Sequence, residues 1–308
     1  MQLAGGMFGR GGSPINMPPS AWAKQMHAWL LRVSSACSTD GQDLPLMTVG
    51  LAPAATARPG VWMRDAFYGI SAGVDMLPNL TATTKAVEWI FSHAAATTGA
   101  MPEFVPLNGI VPPNAYGVLD SGAFAVKLAA VLVSSMGGQH RVEGAQVEPA
   151  GQAWFLQWAH ALSRGLNATT LGPTGLPWID PANIDPARSS NMKTVNAGGD
   201  VLYSSVLYWN ATSILADLYT SAGPAYASEA VSLRAQAAQV RAQITKELWN
   251  GTLGAFVAAT ELESDRISVW GNALAAASGL ASPSQATAIY EMLIRNEGLD
   301  VFWEGQVR

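Results

Sequence analysis

Four times between Asp65 and Asn296 an apolar helical segment is followed by one with a polar face, and this alternation constrains the fold more than any other feature of the chain. Asp65 to Leu77 carries only Asp75 after its start, whereas Thr81 to Thr97 is broken by Lys85, Glu88 and His93. Asp120 to Ser135 has Lys127 as its one charge after the cap; Gly151 to Leu166 carries Gln152, Gln157, His160 and Arg164. Asp200 to Tyr219 is apolar nearly throughout. Tyr226 to Trp249 has a stripe of Leu233, Ala237, Val240, Ile244 and Leu248, with Arg234, Gln236, Arg241 and Lys246 off it. Ser268 to Ser278 is apolar apart from Asn272 and leads to Pro283 to Asn296, where Ser282 suits an N-cap and Pro283 the first helical position.

A helix that is apolar on most sides must touch protein on most sides, and one with a single stripe needs cover on one face only. The pairs therefore predict an all-α fold: a ring of helical hairpins with apolar inner helices and polar-backed outer ones. Leu207 and Leu215 should be buried, Arg234 and Lys246 exposed. Inner helices of such a ring run parallel, so the loops before them meet at one end. These loops are Pro59 to Asp65, Pro102 to Asp120, Gly172 to Asp200 and Glu261 to Trp270, and all are longer than the turns at Ser221 to Ala225 and Gly279 to Ser282. The helical domain spans residues 59–308. Residues 1–58 read as a leader containing one helix, Ser20 to about Ser35, and a loop rich in Gly, Pro, Asp and Thr.

A net charge of −5 with no basic block leaves no electrostatic footprint for nucleic acid or an anionic membrane. Cys37 is the only cysteine, which excludes an internal disulfide and a thiolate metal cluster. His27, His93, His140 and His160 lack metal-ligand spacing. Val118 to Met136 is interrupted by Asp120 and Lys127 and is rejected as a membrane span. The start of the chain has no compact apolar core of a signal peptide. Sequons at Asn79, Asn167, Asn210 and Asn250 are weakly compatible with the secretory route, although Asn210 sits within an apolar helix. Neither localisation nor oligomeric state follows from these residues.

The chemistry-bearing residues lie in the long loops. In PGVWMRDAFYG, Trp62 and Tyr68 offer flat faces to a sugar ring, and Arg64 and Asp65 offer directional hydrogen bonds to its hydroxyls. The same residues also suit a helix start, with Asp65 as cap, Arg64 paired locally and Trp62 in the core. The second loop contributes Glu103, Phe104, Asn114 and Tyr116 and ends at Asp120. The third, GLPWIDPANIDPAR, places Trp178 two residues before Asp180, with Asp185 and Arg188 after. A carboxyl beside an indole and shielded from water can stay protonated near neutral pH, as a general acid must. Asp180-Pro181 and Asp185-Pro186 also read as turn formers.

The order WMRDAFY, LDSGAF, GLPWID, LYWNATSILADLY and LWNGTLGAFVAA resembles the six-hairpin glycosidases, a superfamily with an (α/α)6 toroid that includes glucoamylases, trehalases, α-rhamnosidases and processing glucosidases. The resemblance covers roughly Ala57 to the end, with about four of the six hairpins present. It implies hydrolysis of an O-glycoside in a carbohydrate substrate by an inverting acid/base mechanism. Arg64 and Asp65 would bind sugar hydroxyls, Asp180 would be the general acid with Asp185 as the alternative, and Trp62, Trp178 and Trp270 would line the cleft. Glu304 would border the site where a fifth inner helix begins. The superfamily's base lies late in the barrel, so the chain is expected to stop before it. This chemistry calls for no cofactor or metal, although loop carboxylates could also hold calcium. Two rivals remain: an inactive carbohydrate-binding or interaction module with the same cleft, and an epimerase or lyase on a similar toroid, against which the lack of histidines in these loops argues.

Overall fold

The computed structural model describes residues 60–73, 80–106, 108–136, 149–182, 197–262 and 264–295, with the short segments 302–303 and 306–307. The expected leader, residues 1–58, lies outside them, as do Asp185, Arg188 and Glu304. The α-helices among these residues are α1 (Met63–Gly73), α2 (Leu80–Ser92), α3 (Ser121–Met136), α4 (Pro149–Asn167), α5 (Leu202–Ala222), α6 (Ala227–Leu248), α7 (Val269–Ala277) and α8 (Pro283–Arg295). The fold is mostly helical and built of repeated helical hairpins, in agreement with the alternation in the sequence.

Burial separates the helices into two layers. In α3, every residue from Ser121 to Val133 except Lys127 and Val131 is buried, and in α5 the buried set includes Val206, Leu207, Ala211, Leu215 and Ala216. In α6 only Ala230, Ala237, Val240, Ile244 and Leu248 are buried, while Arg234 and Lys246 are exposed. The apolar helices pack on one another in chain order, α1 on α3, α3 on α5 and α5 on α7. Of the polar-backed helices, α2 packs on α3, α4 on α3 and α5, α6 on α5, and α8 on α7. This is an inner layer backed by an outer one, consistent with an incomplete (α/α) toroid. The layers come close where α3 crosses α4. There a Cβ on Gly122 would collide with the Gly165 carbonyl, so the two backbones touch.

The inner helices begin at one end of the fold. Arg64 in the first turn of α1 reaches Asp120 just before α3, and the Leu202 side chain at the start of α5 lies against Gly271 in the first turn of α7. The loops arriving there carry antiparallel ribbons of two or three residues per strand. β1 (Gly60–Trp62) pairs with β2 (Phe104–Pro106), β3 (Trp178–Ile179) with β4 (Gly199–Asp200), and β5 (Trp249–Asn250) with β6 (Ala255–Phe256). A further ribbon joins β7 (Phe302–Trp303) to β8 (Gln306–Val307). The ribbons stiffen long connections that would otherwise leave backbone groups unpaired. At the opposite end the turns are short and use Gly223 and Gly279, both at positive φ.

Candidate active site

The end where the inner helices begin holds most of the residues singled out in the sequence. β1 enters α1 without an intervening turn, so Arg64 and Asp65 stand in its first helical turn, where a carboxylate is favoured by the exposed N–H groups. Nη2 of Arg64 donates to Oδ2 of Asp120 at 2.9 Å. Side-chain exposures of 19% and 5% make this a largely buried ion pair that ties the first inner helix to the second. The guanidinium also lies 5.7 Å from the centroid of Phe124, whose ring packs against Phe67 and Tyr68.

Asp65 follows Arg64 by one residue and so projects in a different direction, by about 100° around the helix. Burial raises its carboxyl above the ordinary aspartate value, and the neighbouring Arg64 charge offsets part of that rise. Tyr203, from the first turn of α5, completes the cluster with 4% of its surface exposed. Its hydroxyl faces that of Tyr68 without a hydrogen bond of normal geometry. Burial, Tyr68 and the Asp120 carboxylate hold this phenol well above its usual range, with Arg64 acting in the other direction. Tyr68 itself is half exposed. Together these residues form a polar rim over an aromatic layer on three consecutive inner helices.

The other expected residues are distributed around this rim. Trp62 is half-buried and its ring lies 4.5 Å from that of Phe104 across the β1–β2 ribbon. Glu103 is half-buried, its carbonyl accepting from Met63 and its N–H donating to Ala115, which binds the second loop to the start of α1. The hydroxyl of Tyr116 donates to the His93 carbonyl at the end of α2. Trp178 packs against Gly172 and pairs in register with Asp200. Asp180 is exposed, and its Oδ1 accepts from the Ala182 N–H at 2.9 Å, the turn geometry that an Asp-Pro pair favours. Trp270 is 69% exposed in the first turn of α7.

One carboxyl was not singled out from the sequence. Asp200 is buried, faces Trp178 across β3–β4 and accepts from the Thr174 hydroxyl at 2.8 Å. Burial raises its carboxyl; the Thr174 bond lowers it, and Glu247 and Glu261 raise it further. A shielded carboxyl beside an indole was sought at Asp180. The strand register supplies it from the far end of the same loop, and a signal for it, Gly-Gly-Asp ahead of an apolar helix, was present. Among the described residues, no group of three or more His, Cys, Asp or Glu side chains is arranged to hold a metal ion, and no helix is long and apolar enough to cross a membrane.

No protein-family model matches this chain, and neither does any curated protein sequence. Among solved structures it is similar to a rhamnosidase from Klebsiella oxytoca with rhamnose bound, at TM-score 0.61 and 13% identity, over 94% of this chain and 50% of that one. It is also similar to a GH78 family rhamnosidase of Bacillus sp. GL1, at TM-score 0.56 and 16% identity, over 76% of this chain and 22% of that one. The chain thus spans half the length of the first and about a fifth of the second. At such identities the likeness is one of fold alone.

Proposed function

We propose that this chain is a glycoside-acting module that receives a carbohydrate at the end where its inner helices begin. The observation that carries this reading is the meeting of Arg64, Tyr68, Asp120 and Tyr203 there, at the starts of three helices far apart in sequence, with Asp65 beside Arg64. Vicinal sugar hydroxyls need donors and acceptors held at fixed separations, and the Arg64–Asp120 pair is held by burial and by the helices that carry it. Trp62, Trp178 and Trp270 provide aromatic faces around the same end, with Glu103 and Tyr116 in the second loop. Arg188 and Glu304 remain part of the proposed site from the sequence alone.

The proposed reaction is hydrolysis of an O-glycosidic bond with inversion. An inverting mechanism uses one protonated carboxyl to give its proton to the leaving oxygen and a second, ionised carboxyl about 6.5–9.5 Å away to activate water. Burial raises the carboxyls of both Asp65 and Asp200, the latter beside Trp178; Asp65, adjacent to the Arg64–Asp120 pair, is the favoured donor. Asp180, with Asp185 beside it in sequence, is the alternative. The fold's likeness to rhamnosidases makes rhamnosides the first substrates to test.

The test is a screen of α- and β-linked rhamnosides, glucosides and mannosides with the chain and its Asp65→Asn and Asp180→Asn variants. Hydrolysis lost in Asp65→Asn and kept in Asp180→Asn supports the proposed donor; the opposite pattern assigns the role to Asp180. Binding without hydrolysis by all three supports the second reading, a carbohydrate-binding module with the same cleft, which the exposed, turn-forming Asp180 favours. Neither binding nor hydrolysis removes both.

A further inference from the structure

Below the polar rim, the inner layer holds a cation that the proposed chemistry does not use. Asp120, Phe124, Lys127 and Val131 recur every third or fourth residue and therefore share one face, opposite the Gly122 backbone that touches α4. On α5, Tyr203 and Asn210 share a face by the same spacing, opposite Tyr208, whose hydroxyl accepts from Gln236 of outer helix α6 at 2.7 Å. Lys127 and Asn210 thus lie on the side of the inner layer turned away from the outer helices. They are two helical turns, about 10 Å, further along than Asp120 and Tyr203.

The Lys127 ammonium donates to Oδ1 of Asn210 at 2.9 Å and sits 5.1 Å from the centroid of the Phe67 ring. Burial holds the amine below its ordinary value, and among the described residues no carboxylate offsets that effect. Among the described residues it forms no ion pair. An ammonium has three donors, and one is given to Asn210. For a half-buried cation, an aromatic ring and a neutral amide offset the cost of burial only in part, and an anion on the same face would offset more of it.

We propose that Lys127 and Asn210 form a subsite for the carboxylate of an acidic sugar, so that the substrate class of the module is a uronate-containing oligosaccharide. The inference rests on the carbohydrate-binding reading above and adds to it a charge requirement. A neutral residue of the ligand occupies the Arg64–Asp120 rim, a further ring lies against the exposed edges of Phe67 and Tyr68, and the carboxylate meets the two remaining donors of Lys127. The Asp120 and Lys127 positions are about 10 Å apart along the helix axis, which suits a ligand of two or three rings.

Calorimetric titration of the 308-residue chain with a linear trisaccharide that carries one terminal uronate on two neutral rings, and with its carboxyl-reduced, neutral counterpart, tests this. The acidic ligand should bind at least about tenfold more tightly, the difference that one charge-assisted hydrogen bond provides. Lys127→Met should abolish that preference, leave binding of the neutral ligand unchanged and leave the free protein at least as heat-stable as before. Lys127→Arg should retain the preference. Equal binding of both ligands by the unaltered chain overturns the subsite and leaves the carbohydrate reading standing; so does a preference that survives Lys127→Met. Binding of neither ligand overturns both.

Discussion

Asn272 is the one polar side chain inside apolar helix α7, and its removal should be among the most damaging single substitutions in the chain. It is fully buried. Its Oδ1 accepts from the Phe256 N–H at 2.9 Å, and its Nδ2 donates to the carbonyls of Phe256 at 2.8 Å and Ser268 at 2.9 Å. The amide therefore clips strand β6 to the inner helix and fixes the fourth long loop at the end where the inner helices start. In Asn272→Ala the Ser268 carbonyl keeps the backbone N–H of residue 272 as donor, so two groups lose their partner, the N–H and C=O of Phe256. At about 1–3 kcal/mol for each buried group left unsatisfied, the loss is about 4 kcal/mol. Asn272→Asp conserves shape but turns a carboxylate oxygen towards two carbonyl oxygens and should be at least as harmful at pH 7.

Urea titration followed by tryptophan fluorescence measures both losses through the midpoint, with an unchanged slope as the sign that the unfolded state is unaffected. The pH dependence provides an internal check. The carboxyl introduced by Asn272→Asp has a folded pKa raised above about 3.9, so the stability it allows is complete below that pH and falls as pH rises through the folded pKa. The deficit of that variant should shrink in acid, whereas the deficit of Asn272→Ala should not. A loss below about 1 kcal/mol for Asn272→Ala, or a pH-independent deficit for Asn272→Asp, refutes the reasoning.

Gly122→Ala should destabilise by about 1–3 kcal/mol in the same titration, because the added methyl meets the Gly165 backbone, which cannot move without shifting α4. Tyr208→Phe should cost about 1 kcal/mol by thermal unfolding, and a double-mutant cycle with Gln236→Ala should recover most of it if the 2.7 Å bond between them is the cause. Asp65→Asn should be more stable than the parent at neutral pH: the raised carboxyl of Asp65 contributes stability only below its unfolded pKa and loses it as pH rises through the folded value. Melting temperatures of the two proteins that differ equally at pH 3.5 and pH 7 would contradict this.

The helices were the legible part of the fold because a helix records its environment at every turn. Ser282 accepts from the Gln285 N–H and α8 begins at Pro283, both as read from the sequence, whereas Ser268, read as the first residue of its helix, is the N-cap of α7. Most boundaries shifted by three residues or fewer, although α2 ends at Ser92 rather than Thr97; α1 begins at Met63 rather than Asp65, which carries Arg64 and Asp65 from the loop into the helix. The ribbons were not legible, since strands of two or three residues are too short to show a period.

At the candidate site, local sequence determined which residue types stand in the loops and on which face of each helix they lie. Periodicity was enough to predict a helical-hairpin fold, and the loop motifs with the family resemblance brought Arg64, Asp65 and Asp120 under suspicion as chemistry. Only the tertiary structure decided the partners. Arg64 and Asp120 are separated by 56 positions in the chain, and no local pattern links them. Asp200 meets Trp178 through strand register, and Lys127 faces Asn210 because two inner helices run side by side. The physical reason is the same in each case. Periodicity is set by backbone geometry within one element, whereas pairing and burial of charge depend on how separate elements pack together.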